Sequence, residues 1–193
     1  SRLVKQVPLY NNGGQAWTNA HWKRNTNFSE MFMQTQFNQD VSKWILPNSA
    51  DVPGKFKMSN TFTGTPFNRP VDTYEEDGVT YWDMSNCRDI NSMFSGCDSF
   101  NQNLDNWDVR NVTDMGYAFD HADVFNGSVS NWQPDSCAKM AGTFRRTDFN
   151  QPINTRTEGG KVYWNVSSVT DFSSMFRETP FNQPLDAWDM SSA

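Results

Sequence analysis

Six Phe-Asn pairs recur in phase along this chain, beginning at Phe37, Phe67, Phe100, Phe125, Phe149 and Phe181. A second phenylalanine column precedes them, at Phe32, Phe62, Phe94, Phe119, Phe144 and Phe176. A tryptophan column follows, at Trp44, Trp82, Trp107, Trp132, Trp164 and Trp188. Where nothing intervenes the step is 24–25 residues, and the longer steps hold insertions. Residues that recur in phase occupy the same environment in each unit, so the chain folds as an array of like units. The period is shorter than the ~33–47 residues of two-helix repeats and falls in the ~20–29 range of leucine-rich repeats.

The pattern predicts an α/β solenoid: a leucine-rich-repeat-like, right-handed coil of about six ~25-residue units. A single array is expected over residues 1–193, with partial units at both ends. Each unit is expected to hold one short parallel strand, the Leu-Asp-x-Trp stretch from Leu104 to Trp107, stacked ~4.8 Å from its neighbours. The return limb reads as a short helical turn. Val112, Met115, Ala118 and Phe119 recur at i, i+3, i+6 and i+7, one face of a helix. Asn111, Thr113 and Asp114 sit where capping residues belong.

The repeated polar residues have a structural reading and a functional one. In the asparagine column (Asn38, Asn68, Asn101, Asn126, Asn150, Asn182) an inward-turned amide pairs with backbone groups that a coil leaves open. The Trp column is a buried spine, with an exposed row stacking on sugar rings as the alternative. Asp83, Asp108 and Asp189 follow the Trp, while Asp72, Asp105 and Asp186 precede it. Stacked carboxylates repel, so either backbone N–H groups hold them or calcium bridges them. The glycine-rich nonapeptides of calcium-binding arrays are missing, and Gln133 and Asn165 interrupt the row after the Trp. Capping is the reading adopted. Cys87 and Cys137 occupy the position of Val112 and Val169, as small core residues. Cys97 lies within one unit of Cys87, which leaves a disulfide between them as an alternative to free thiols.

Insertions in an array map to loops on one side, where recognition concentrates. Two insertions match each other, near 73–81 and 155–163. Their Glu-Asp-Gly and Glu-Gly-Gly turns between β-formers predict hairpins leaving along one edge. Tyr74, Tyr81, Arg156 and Tyr163 are the expected partner contacts. A loop insertion near 48–54 falls on a different corner, and Asn11-Asn12-Gly13-Gly14 reads as a further hairpin tip. Of the sequons at Asn27, Asn111, Asn126 and Asn165, Asn111 and Asn165 are the acceptors open to sugar in a eukaryotic host.

The net charge of −6 and the scattered basic residues exclude a phosphate-tracking surface. The adjacent pairs Lys23-Arg24 and Arg145-Arg146 read as solvated turns. No run approaches the ~18–20 apolar residues of a membrane span. Three cysteines without a C-x-x-C, and two histidines, give no zinc spacing. His21 and His121 lie in non-equivalent positions, and no nucleophile elbow, phosphate loop or zincin motif occurs. No enzyme activity, cofactor or metal is expected.

The consensus F-N-Q-P-L-D-x-W-D-(V/M)-S-x-V-T-D-M-x-x-M-F resembles the repeat of BspA-like leucine-rich-repeat surface proteins, in the branch catalogued as mycoplasma-type lipoprotein repeats of unknown function. The resemblance runs from about Val4 to Ser192. It implies an extracellular or cell-surface location and a role in adhesion or surface recognition, and it brings no catalytic residues. The expected function is therefore a non-catalytic scaffold for protein–protein interaction, adhesion or surface assembly, with proteins of that assembly as partners. Carbohydrate binding is the alternative. End-to-end polymerisation is a second alternative, since neither end shows a polar cap.

Overall fold

A computed structural model describes residues 22, 25–48 and 55–193. The Asn11–Gly14 tip, His21, the Lys23-Arg24 pair and all of the 48–54 insertion but Asn48 lie outside the described residues. The fold is not the expected α/β solenoid. No described residue is helical, and the six strands hold two or three residues each. They pair two by two in three separate sheets: β1 (Phe56–Lys57) with β4 (Cys87–Asp89) in parallel, β2 (Tyr74–Glu76) with β3 (Val79–Tyr81), and β5 (Arg156–Glu158) with β6 (Lys161–Tyr163), both antiparallel. Among the described residues no continuous parallel sheet runs through the repeats. Parallel contact narrows elsewhere to isolated bridges, Asn27 with Lys57, Asp89 with Asp114, Asp114 with Lys139 and Lys139 with Asp171.

The limb read as a helical turn explains the difference. Val112, Met115, Ala118 and Phe119 are all buried, but their backbone does not coil as a helix. Every second N–H leaves for the next repeat: Ile90, Ser92, Phe94 and Gly96 donate to the carbonyls of Asp114, Gly116, Ala118 and Asp120. The N–H groups between them close four-residue turns, Met93 to Ile90, Ser95 to Ser92 and Cys97 to Phe94. This alternation requires left-handed backbone twice per repeat, at Ser92 and Gly96, at Tyr117 and His121, and at Gly142 and Arg146. Gly142 is needed for space as well, since a Cβ there would stand 2.5 Å from the Tyr117 ring.

The stretch expected as a strand is a turn. Trp107 donates its N–H to Leu104 of its own repeat, and Leu104 donates to Ser128 of the next. Its indole crosses the other way. Trp82, Trp107, Trp132, Trp164 and Trp188 donate Nε1–H to the carbonyls of Val41, Val71, Leu104, Val129 and Ile153 in the preceding repeat, at 2.6–2.9 Å. The indoles stack along the column with centroids 5.7–6.4 Å apart. Beside them the two Phe of each repeat stack at 3.7–4.1 Å. The link between those two Phe varies in length without disturbing the stack. In shorter links a Thr hydroxyl accepts the second Phe N–H, as Thr65 does for Phe67, while in longer links a carbonyl does so directly, as Cys97 does for Phe100.

Side-chain ladders join the repeats on the polar side. Asn38, Asn68, Asn101, Asn126 and Asn150 each accept, through Oδ1, the N–H of the next asparagine in the column, at 2.9–3.1 Å. The column lies half-buried to exposed, not inward. Asp72 and Asp105 do the same for Asn106 and Asn131, and Asn154 for Ala187. Asp83, Asp108 and Asp189 accept the N–H two residues on, closing local turns. Backbone groups thus hold each of these carboxylates.

Two predictions follow from these ladders. Trp107→Ala removes a buried indole and orphans the Val71 carbonyl, so urea unfolding should show a loss of ~3–5 kcal/mol; a loss below ~1 kcal/mol would remove the column from the core. Asp72 supplies the second. Burial pushes its carboxyl up from 3.8 to about 6, and the N–H groups of Asn106 and Thr73 with the Asn106 amide only partly counter this. The folded state therefore binds the proton more tightly, so the linked stability is full below pH 3.8 and is lost as pH rises through about 6. Asp72→Asn keeps an acceptor for Asn106 and should flatten this pH profile, by ~1 kcal/mol after solvent screening at a half-buried site. Parallel profiles for the two proteins across that window would contradict the assignment.

Candidate functional site

The two matching insertions fold as the hairpins β2–β3 and β5–β6. Their two-residue turns, Asp77-Gly78 and Gly159-Gly160, have positive φ at both positions, the mirror-image turn whose twist suits paired strands. Each hairpin is closed in the same way. Thr73 and Thr155 donate their hydroxyls to the carbonyls of Trp82 and Trp164. Both Trp residues are left-handed, with φ of 50° and 49°, and donate N–H to the carbonyls of Trp44 and Trp132. The other Trp residues of the column turn within their own repeat. A hairpin is thus accommodated by reversing the Trp backbone while the indole keeps its place in the stack.

The contact residues expected from sequence sit as facing pairs, Tyr74 opposite Tyr81 and Arg156 opposite Tyr163. Tyr74 and Tyr81 stack at 5.0 Å, with Lys43 over the Tyr81 ring at 5.3 Å and paired with Glu76. In the other hairpin the cation over the equivalent ring comes from the hairpin itself. The Arg156 guanidinium lies 4.1 Å from the Tyr163 centroid and donates to the Ser130 carbonyl and Asn131 Oδ1, at 2.6 and 2.7 Å. Each hairpin is thereby pinned to the preceding repeat at the residues before its Trp.

Pinning β5–β6 encloses a cleft of about 720 Å³. It is lined by residues 160–163, by the turns around Trp107 and Trp132, and by Asn165. The Asp108 carboxylate is gripped by Arg110 Nε and Nη2 at 2.9 and 2.5 Å, which holds its pKa below the usual carboxylate range. Asp135 accepts from Asn165 Nδ2 at 3.3 Å. Sequence reasoning did not assemble this cleft, because it draws on three repeats. Its only signal was the replacement of the post-Trp aspartate by Gln133 and Asn165.

Other expected sites are engaged elsewhere. The amide nitrogens of the sequon residues Asn111 and Asn165 donate to Ser85 O and Asp135 in the preceding repeats, so a glycan on either would displace a cross-repeat bond. His121 Nδ1 lies 2.9 Å from Asp120 Oδ1, and its Nε2 accepts from Arg146. Arg145 grips the same buried Asp120 through two bonds of 2.7 Å and covers the Tyr117 ring, so the Arg145-Arg146 pair is bound into the surface. Cys87, Cys97 and Cys137 are free and buried, which pushes their thiols up to about 12, 11 and 12. Cys97 does not bridge to Cys87; it donates to the Phe62 carbonyl. Among the described residues no helix is long and apolar enough to cross a membrane.

A family model described as Mycoplasma protein of unknown function, DUF285, matches residues 10–69, 56–158 and 157–193. Its recurrence along the chain agrees with a repeat protein. No curated protein and no solved structure matches.

Proposed function

We propose that this chain, which belongs to the family described as Mycoplasma protein of unknown function, DUF285, is a non-catalytic repeat scaffold that recognises macromolecular partners through its two hairpins. The observation that carries the reading is the doubled hairpin closure. Trp82 and Trp164 reverse hand where the rest of their column does not, Thr73 and Thr155 close both hairpins onto their carbonyls, and each hairpin is held against the preceding repeat.

The exposed edges of the hairpins are polar, with aromatic and aliphatic side chains among them. Tyr74 is 36% exposed and Val162 40%. Aromatic and arginine side chains on a pinned element lose little entropy on binding, which suits them to recognition. The likeness of the repeat consensus to BspA-like surface proteins supports an extracellular or cell-surface location, with partners in a surface assembly.

The test is a bacterium displaying the whole chain, compared with one in which residues 74–80 and 156–162 are each replaced by Gly-Gly. Both forms should reach the surface and melt together, and only the intact chain should promote cell–cell or cell–substratum adhesion. Adhesion unchanged by loss of both hairpins would refute the reading.

A further inference from the structure

The cleft under β5–β6 has a composition that selects among ligand classes. Its volume lies within the ~300–1,000 Å³ of small-molecule sites. Of the hydrophobic residues lining it, Trp107 and Val109 are 2% and 0% exposed, so the apolar surface comes from Val162, 40% exposed, beside the Tyr163 ring. The rest of the lining is mainly carboxylate, amide and cation, including Asp105, Asp108, Asp135, Gln133, Arg110 and Lys161. An anion would meet three carboxylates. An apolar ligand would strip water from these polar groups without replacing their hydrogen bonds, which is costly.

A neutral polyhydroxylated ligand fits where those fail. Each hydroxyl is both donor and acceptor, so it pairs equally with a carboxylate, an amide or an ammonium. The frame is already fixed. Arg110 holds Asp108, Asn165 holds Asp135, and Arg156 holds the Tyr163 ring at the cleft's edge. Set within that frame, the Gln133 amide, the Lys161 ammonium and the second oxygens of Asp105 and Asp135 make no hydrogen bond to another described side chain or backbone group. Held neighbours around open donors and acceptors are what a preorganised site needs.

We infer that the cleft between β6 and the turns following Trp107 and Trp132 binds a neutral oligosaccharide segment, with Gln133, Asp135 and Lys161 bonding its hydroxyls and Tyr163 bordering a sugar ring. This names a ligand class for one of the two hairpins and so rests on the hairpin-face reading.

The experiment is titration of the 15N-labelled whole chain with cellotetraose, chitotetraose, laminaritetraose, mannotetraose and maltotetraose. At least one should shift the amides of Asn131, Gln133, Lys161 and Asn165, and added salt should leave the affinity unchanged because the ligand is uncharged. Gln133→Ala with Asp135→Asn retains the acceptor for Asn165 and should weaken that sugar by roughly tenfold or more at an unchanged melting temperature. Lys161→Ala, on the exposed strand, should weaken it without touching the core. Overturning results are no shift with any of the five sugars, shifts centred elsewhere, or affinity retained in both variants. Absent shifts together with hairpin-dependent adhesion would remove the saccharide and keep the hairpin reading; absent shifts with no such adhesion would remove both.

Discussion

The donation of alternate backbone N–H groups to the following repeat is the constraint on which the rest of this structure depends. A helix satisfies its amides within one segment. Here Ile90, Ser92, Phe94 and Gly96 instead face the carbonyls of the next repeat, and only the residues between them close turns. The backbone alternates in hand to do this, and it fixes successive repeats at one separation. Phe and Trp rings at that separation stack on their counterparts, and each indole N–H finds a carbonyl one repeat back. The aromatic columns are therefore a consequence of the backbone pairing as well as its seal against water, since a wet backbone bond contributes less than a buried one.

The same constraint governs where the chain tolerates additions. Between the Phe-Asn pair and the Trp the backbone makes few cross-repeat bonds, and a polar ladder of side chains, Asp72 to Asn106 and Asn154 to Ala187, carries much of the joining. A hairpin inserted there disturbs neither the paired limb nor the Phe stack. It does need a reversed Trp, because the indole is committed to its column while the incoming strand arrives from outside. The cation over Tyr81 or Tyr163 then fixes the hairpin to the body, from Lys43 in one case and from Arg156 in the other.

Much of this was legible in the sequence, and the failures are specific. Phase alone placed Trp107, Phe119 and Phe125 in equivalent environments, because identical columns need identical surroundings. The Asp77-Gly78 and Gly159-Gly160 pairs marked the hairpin turns, since few other residues accept positive φ twice in succession. The helical limb was misread because Val112, Met115, Ala118 and Phe119 have a spacing shared by a helix and by successive turns closed three residues back. The deciding signal was left-handed backbone, and only Gly64, Gly96 and Gly142 advertise it; Tyr117, His121 and Arg146 adopt it without a sequence cue. The strand assigned to Leu104–Trp107 failed because the Trp donates to its own turn. The cleft depends on side chains from three repeats and on the Arg156 anchor at Ser130, contacts that no local pattern encodes.

Scalar couplings across hydrogen bonds, measured by NMR on the labelled chain, test the central claim most directly. The account predicts couplings from the nitrogens of Phe94 and Phe119 to the carbonyl carbons of Ala118 and Thr143, each in the following repeat. Couplings from the same nitrogens to Ile90 and Met115, four residues earlier, would mean a helical limb and would contradict it.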